Sequence, residues 1–220
     1  MNSPTVAWLK SAAREASYRL SRLLPEANDG LRADAVVWVL GREFAAPADS
    51  VAEAAVARCV RACIWFTYRQ GFAPIPGTIF TSDAGWGCMM RSGQMIVAAA
   101  MVRLQLARRA TAVHVRSVDG AADPPQLQES GLTEAEEEAI VRVFADSVDA
   151  PFSLPCITAE GAAQGTSAGS WMGPAAIAQV MARLAVRANS PDLLRISVAM
   201  DGTLYQDEVR SCILLRVNPG

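Results

Sequence analysis

An α+β fold with a helix-capped sheet is what this sequence predicts, and three observations carry the prediction. Apolar residues recur at helical spacing in several separate stretches. Short runs rich in Val, Ile and aromatic residues stand between them. Two glycine-rich segments each lead into an apolar helix. At 220 residues with 51% hydrophobic and 19% charged side chains, the chain has material for one well-buried core.

The elements follow in order. Leu9, Ala13, Ala16, Leu20 and Leu23 step by four and three, which predicts an amphipathic first helix, closed by the turn residues Asn28-Asp29-Gly30. Residues 1–34 are read as a helical N-terminal extension and 35–220 as the main domain. Ala35 to Leu40 predicts a buried strand. Ser50 and Glu53 have capping-box spacing and open a helix reaching about Cys63. Ile64 to Arg69 is apolar and aromatic, a strand or a helix end. Gly71 to Gly87 is a loop.

A helix is then predicted from Cys88 to Arg109, with Met89, Gly93, Ile96, Ala100 and Leu104 on its buried face. Arg91, Gln94 and Gln105 fall on an opposite, partly polar side. Asp119 to Gly131 is a polar loop, and Thr133 with Glu136 caps the next helix. Gly161 to Gly173 is the second glycine-rich loop. Pro174 then opens a helix at the position proline fits best. Arg195 to Met200 and Ile213 to Val217 read as strands, with the Asp201-Gly202 turn and a short helix between them.

Composition excludes several classes of function. The net charge is −2, from 20 basic and 22 acidic side chains, so neither nucleic acid nor an anionic membrane surface is an expected partner. No apolar run is long enough to span a bilayer. Five scattered cysteines suit a reduced, cytoplasmic protein rather than a disulfide framework. Cys59 and Cys63 lie four apart but lack a second ligand pair. Packing is the better reading for them, and no metal or cofactor is expected.

Cys88 is the candidate that carries chemistry. It follows Gly85-Trp86-Gly87 at the point where loop becomes helix. Free backbone N–H groups and the positive end of the helix dipole favour a thiolate there, which is how a nucleophilic cysteine is prepared. Its base is the difficulty. The only histidine is His114. A helix from Cys88 to Arg109 is about 33 Å long, and five further residues return at most about 18 Å, so His114 is out of reach. Asp83, five positions before the cysteine, reads as a turn former or helix cap.

Several uncommon words stand in order along the chain: Trp38-Val39-Leu40-Gly41-Arg42, Phe66-Thr67-Tyr68-Arg69, Thr81-Ser82-Asp83-Ala84-Gly85-Trp86-Gly87-Cys88-Met89-Met90-Arg91, Ser92-Gly93-Gln94-Met95 and Gly169-Ser170-Trp171-Met172-Gly173-Pro174. Together they resemble the autophagins, papain-like cysteine endopeptidases of autophagy, from about Val36 onward. The resemblance implies an incomplete papain-like α+β fold, with a central helix starting at the catalytic cysteine and a partial antiparallel sheet. It implies that Cys88 is the nucleophile, Tyr68 an oxyanion-site residue and Trp171 a wall over the substrate's glycine tail. The partner it implies is an autophagosomal ubiquitin-like modifier, trimmed to expose glycine and later released from lipid.

This sequence departs from the family at Ser170 and Met172, where a glutamine and a tyrosine flank the tryptophan. The Asp-Pro-His segment of the family has no counterpart here; Asp123-Pro124 is followed by Pro125. The chain is therefore expected to be the N-terminal portion of such an enzyme, with an exposed sheet edge near Ile213 to Val217. The alternative is a truncated, catalytically incomplete chain acting at most as a modifier-binding module.

Overall fold

The computed structural model describes residues 36–39, 42–44, 50–114, 132–188 and 194–214. The predicted first helix, the extension that contains it and the loop from Asp119 to Gly131 lie outside the described residues.

A short hairpin comes first. Strands β1 (Val37–Val39) and β2 (Arg42–Phe44) run antiparallel, with Val37 opposite Phe44 and Val39 opposite Arg42. Six helices follow: α1 (Ser50–Arg61), α2 (Cys88–His114), α3 (Glu134–Arg142), α4 (Leu154–Ala163), α5 (Pro174–Arg187) and α6 (Gln206–Leu214). Helix α1 packs on β1. Helix α5 packs on both α4 and α2, and α3 on α2. The expected partial sheet reduces to this one hairpin among the described residues.

Helix starts follow from local chemistry. Thr133 caps α3 in a full capping box with Glu136, and Glu134, Glu136 and Glu137 occupy the first turn. Ser153 caps α4 through the Cys156 N–H. Pro174 opens α5 after Gly173, as expected. Glu136 ties α3 back to α2, accepting from Gln105 and from Arg109 Nε, each at 3.0 Å. These contacts, led by the Thr133 N–H, hold its carboxyl down from the usual 4.5 to about 2.

Four expectations need correction. Ile64 to Arg69 forms neither a ladder nor a helix end. Its burial alternates, with Phe66 buried between exposed Trp65 and Thr67, but only the isolated bridge Gln70–Ser82 follows it. Arg195 to Met200 behaves alike. Leu194 and Ile196 pack on the core, yet no described strand lies alongside to complete a ladder. Alternation places side chains; a strand also needs a hydrogen-bonding neighbour. Ile213 and Leu214 form the last turn of α6, so no sheet edge stands there, and 215–217 lie outside the described residues. Gly161 is not in the second loop but inside α4, where a Cβ would lie 2.5 Å from Met172 Cε.

The phase of α2 is also corrected. Its buried residues are Met90, Arg91, Gln94, Val97, Ala98, Met101 and Val102, whereas Ile96 is 71% exposed. Gly93 is buried as expected, because α5 approaches there: a Cβ would meet Ile177 Cγ1 at 2.7 Å. Against the buried face stand Phe66, Phe80, Trp86, Phe144 and Phe152 with the inner side of α5. The Phe144 ring lies 5.0 Å from Phe66 and 5.7 Å from Phe152. Side chains of this size dominate core energetics through the area they bury.

Candidate active site

The segment before Cys88 is a tight loop built around one carboxylate. Asp83 is fully buried. Its carbonyl accepts the N–H groups of Trp86, at 3.2 Å, and Gly87, at 2.8 Å. Its Oδ1 accepts the Arg69 N–H at 2.7 Å, and its Oδ2 accepts Arg91 Nε at 2.8 Å. Gly85 sits at φ 81°, where an L side chain is strained. Gly87 is glycine for a different reason: a Cβ there would lie 2.5 Å from Asp83 Oδ2. Trp86 is fully buried, donates from Nε1 to the Ser82 carbonyl at 3.0 Å, and packs against Phe80.

Cys88 is therefore the first residue of α2, on a loop with little freedom. It is half-buried and free of any disulfide. The first N–H groups of a helix have no partner within it, so an anion at this position meets unspent donors.

Tyr68 is half-buried and adjoins Arg69, whose main chain pairs with Asp83 in both directions. The Gly71 N–H reaches the Thr81 carbonyl at 2.8 Å. The Tyr68 segment is thus laced to the Cys88 loop.

Trp171 is 57% exposed and the preceding Ser170 is exposed too, whereas Gly169 and Met172 are buried. Met172 is fully buried against α4, and Gly169, at φ 81°, would place a Cβ 2.4 Å from the Phe80 ring. Phe80 in turn touches Trp86, with ring centroids 5.5 Å apart. The Trp171 loop is anchored through Phe80 to the Cys88 loop and through α5 to α2. Contacts therefore connect the three segments that carry the candidate residues.

His114 is not part of this constellation. Helix α2 runs unbroken to His114, five residues further than expected. At ~1.5 Å per residue its backbone ends ~39 Å from that of Cys88. Cys63 donates its thiol to the Cys59 carbonyl at 3.4 Å, and Cys156 to that of Val148 at 3.4 Å. No group of acidic, cysteine or histidine side chains among the described residues is arranged to hold a metal.

Sequence reasoning missed Arg91 as a component of the site. It is 2% exposed and gives Nη1 to Asp146 Oδ1 at 3.1 Å and to Gln94 Oε1 at 3.0 Å. Gln94 Nε2 continues to the Phe152 carbonyl at 2.8 Å. Burial works against the charge on Arg91, but hydrogen bonds and opposite charges from Asp83 and Asp146 outweigh it and raise its hold on the proton. The signal was present: Arg91, Gln94 and Ala98 follow i, i+3, i+7, one stripe of the helix.

The catalytic-domain pattern of the peptidase C54 family matches residues 53–217. Human cysteine protease ATG4A is 32% identical over 186 residues, covering 84% of this chain. Cysteine protease ATG4B of Xenopus laevis is 34% identical over 174 residues, 79% of the chain. The chain spans 42% and 40% of the lengths of these two relatives. The matched span contains the Cys88 loop, its helix and the Trp171 loop, and on that ground the chain belongs to the peptidase C54 family of cysteine peptidases.

Proposed function

We propose that this chain provides the nucleophile and the substrate cleft of an autophagy-related cysteine endopeptidase. The carrying observation is Cys88 at the first position of a helix with one face in the core, on a loop locked by Asp83. The substrate class is an autophagosomal ubiquitin-like modifier with a glycine-ended tail, as an extended precursor and as a lipid conjugate. Residues 35–220 then form the N-terminal part of a papain-like domain behind an N-terminal extension, working in the cytoplasm. No helix among the described residues is long and apolar enough to cross a membrane.

In this reading the Cys88 thiolate attacks the carbonyl carbon of the glycine. A C–S bond forms and negative charge passes to the carbonyl oxygen, where Tyr68 and backbone N–H groups receive it. Collapse breaks the C–N bond, and the leaving amine takes a proton. Water then hydrolyses the thioester and returns the thiol. An aspartate–histidine pair outside residues 1–220 acts as base and acid, since His114 is far along α2. Trp171 presents an exposed aromatic face beside the cleft, which suits a tail without side chains.

A glycine-tailed ubiquitin-like protein carrying a C-terminal electrophile tests the assignment of the nucleophile, because adduct formation needs no general acid to protonate a leaving amine. The expected adduct is on Cys88 and disappears in Cys88→Ala. Cleavage of the extended precursor by residues 1–220 alone should be slower by about 10²–10⁴ than by a longer chain bearing the dyad. An adduct on another cysteine, or cleavage surviving Cys88→Ala, overturns the proposal.

A further inference from the structure

Four bonds around the Cys88 loop close into a ring. The Arg69 main-chain N–H donates to Asp83 Oδ1, and Arg91 Nε donates to Asp83 Oδ2. Arg91 Nη1 donates to Asp146 Oδ1, and Arg69 Nη1 returns to Asp146 Oδ2 at 3.0 Å. The ring joins the Tyr68 segment, the Cys88 loop, α2 and the turn after α3. Asp83 lies under Gly87, one residue from the nucleophile position; Arg69 lies one residue from Tyr68.

The ring is poorly explained by stability alone. A buried ion pair gains little over well-packed apolar side chains of the same volume. Arg91 Nη2 is buried and has no partner among the described residues, which costs free energy. What a fork between two carboxylates does supply is direction. We propose that Arg91, oriented by Asp146, is a positioning residue that holds Gly87 and Cys88 in register with Tyr68. This rests on the reading of Cys88 as nucleophile. Arg91 contacts neither substrate nor thiol in this scheme; it acts through Asp83.

Site-resolved alkylation of the 220-residue chain by iodoacetamide, read by peptide mass spectrometry, tests the ring without needing a substrate or a base. The readout is the Cys88 rate relative to Cys59, which lies on α1 outside the ring. Asp146→Asn keeps volume and should lower this ratio about tenfold with the circular dichroism spectrum unchanged. Arg91→Lys keeps the charge but loses the fork, and should do the same. Asp146→Glu should recover the parent ratio to within about threefold. Arg69→Gln, whose parent side chain is 42% exposed, should cost about threefold while leaving its main-chain bond to Asp83 in place. Should both buried-side variants unfold, Arg69→Gln decides. Ratios that stay at the parent value while melting temperatures fall would show the ring to be structural only. A parent ratio near unity would overturn this proposal and the nucleophile assignment together. A high parent ratio that no variant lowers overturns the ring alone.

Discussion

Two glycine-closed loops lead into α2 and α5, and the side chains that brace them differ: a buried ion pair for the first, apolar packing for the second. The loop ending at Gly87 is tied by a buried carboxylate, a buried guanidinium and main-chain bonds. The loop ending at Gly173 also has main-chain bonds, Thr166 N–H to the Gly161 carbonyl at 2.8 Å and Ser170 N–H to the Ser167 carbonyl at 3.1 Å, and adds packing: Gly169 on the Phe80 ring, Met172 in the notch left by Gly161. Gly173 gives α5 no side-chain cap. Polar bracing fixes direction, because hydrogen bonds weaken steeply when bent. Apolar bracing fixes depth and leaves the exposed side of the loop free. In the proposed reading the first suits Cys88, which meets a carbonyl at a set angle. The second suits Trp171, which needs only to stand up from a firm base.

The largest expected effects come from breaking each brace at its glycine. Gly169→Ala meets two penalties, a left-handed backbone at φ 81° and a Cβ 2.4 Å from the Phe80 ring. Thermal unfolding should show a loss of about 3 kcal/mol or more. Gly87→Ala meets only one penalty, the Asp83 carboxylate at 2.5 Å. It should cost about 2 kcal/mol. Its effect on Cys88 alkylation should nonetheless exceed that of Gly169→Ala by about tenfold, since the displaced group is the ring itself. Equal loss of alkylation in the two variants would erase the distinction between the braces.

The same contrast decides how much was legible in the sequence. Cys88 at a helix start, Pro174 at another and the Thr133–Glu136 box were readable because each depends on residues within one turn. The phase of α2 was not. The helix is apolar on most sides, so spacing alone put Ile96 inside and Arg91 and Gln94 outside. Inside, Arg91 pairs with Asp83 and Asp146, 8 and 55 positions away, and Gln94 with the Phe152 carbonyl, 58 positions away. Asp83 itself was rightly read as a turn former, but its partners were invisible. Strand assignments failed where alternation was real and no neighbour stood alongside among the described residues, as at Phe66 and Ile196. The expected roles of Tyr68 and Trp171 came from motif resemblance; Phe80, Trp86 and Asp83 link their segments, contacts no local pattern encodes.

A smaller effect sits at the far end of α2, where polar bracing recurs in water. Glu136 is held down to about 2 by Thr133 first, then Gln105, with Arg109 adding its charge. Its folded value lies below its ordinary 4.5. The stabilisation is therefore complete above about pH 4.5 and drains away as pH falls toward about 2. Melting temperatures across that window should fall less steeply in Glu136→Gln than in the parent, with the two curves converging at the acid end. Parallel curves would show that the α2–α3 clasp contributes nothing, and that polar bracing matters only where it is buried.

Trp171→Ala should have the smallest effect on stability and one of the clearest on binding. The ring is 57% exposed, and it stands beside Gly173, where an added Cβ would lie 3.6 Å from its Cζ3. Removing it leaves Met172, Gly169 and the α5 start untouched, so unfolding should shift by about 0.5 kcal/mol or less. Capture of a glycine-ended tail is another matter. An aromatic anchor beside a cleft is worth about 1–2 kcal/mol or more when it is covered by a ligand, so the dissociation constant for a glycine-tailed modifier should rise about tenfold. Met172→Ala makes the converse case: it empties a fully buried site and should cost about 3 kcal/mol in stability. Its effect on tail binding should vanish once measurements are confined to folded protein. Binding that survives Trp171→Ala and fails in folded Met172→Ala would place the tail on the packed side of this loop, and the division between a firm base and a free face would have to be given up.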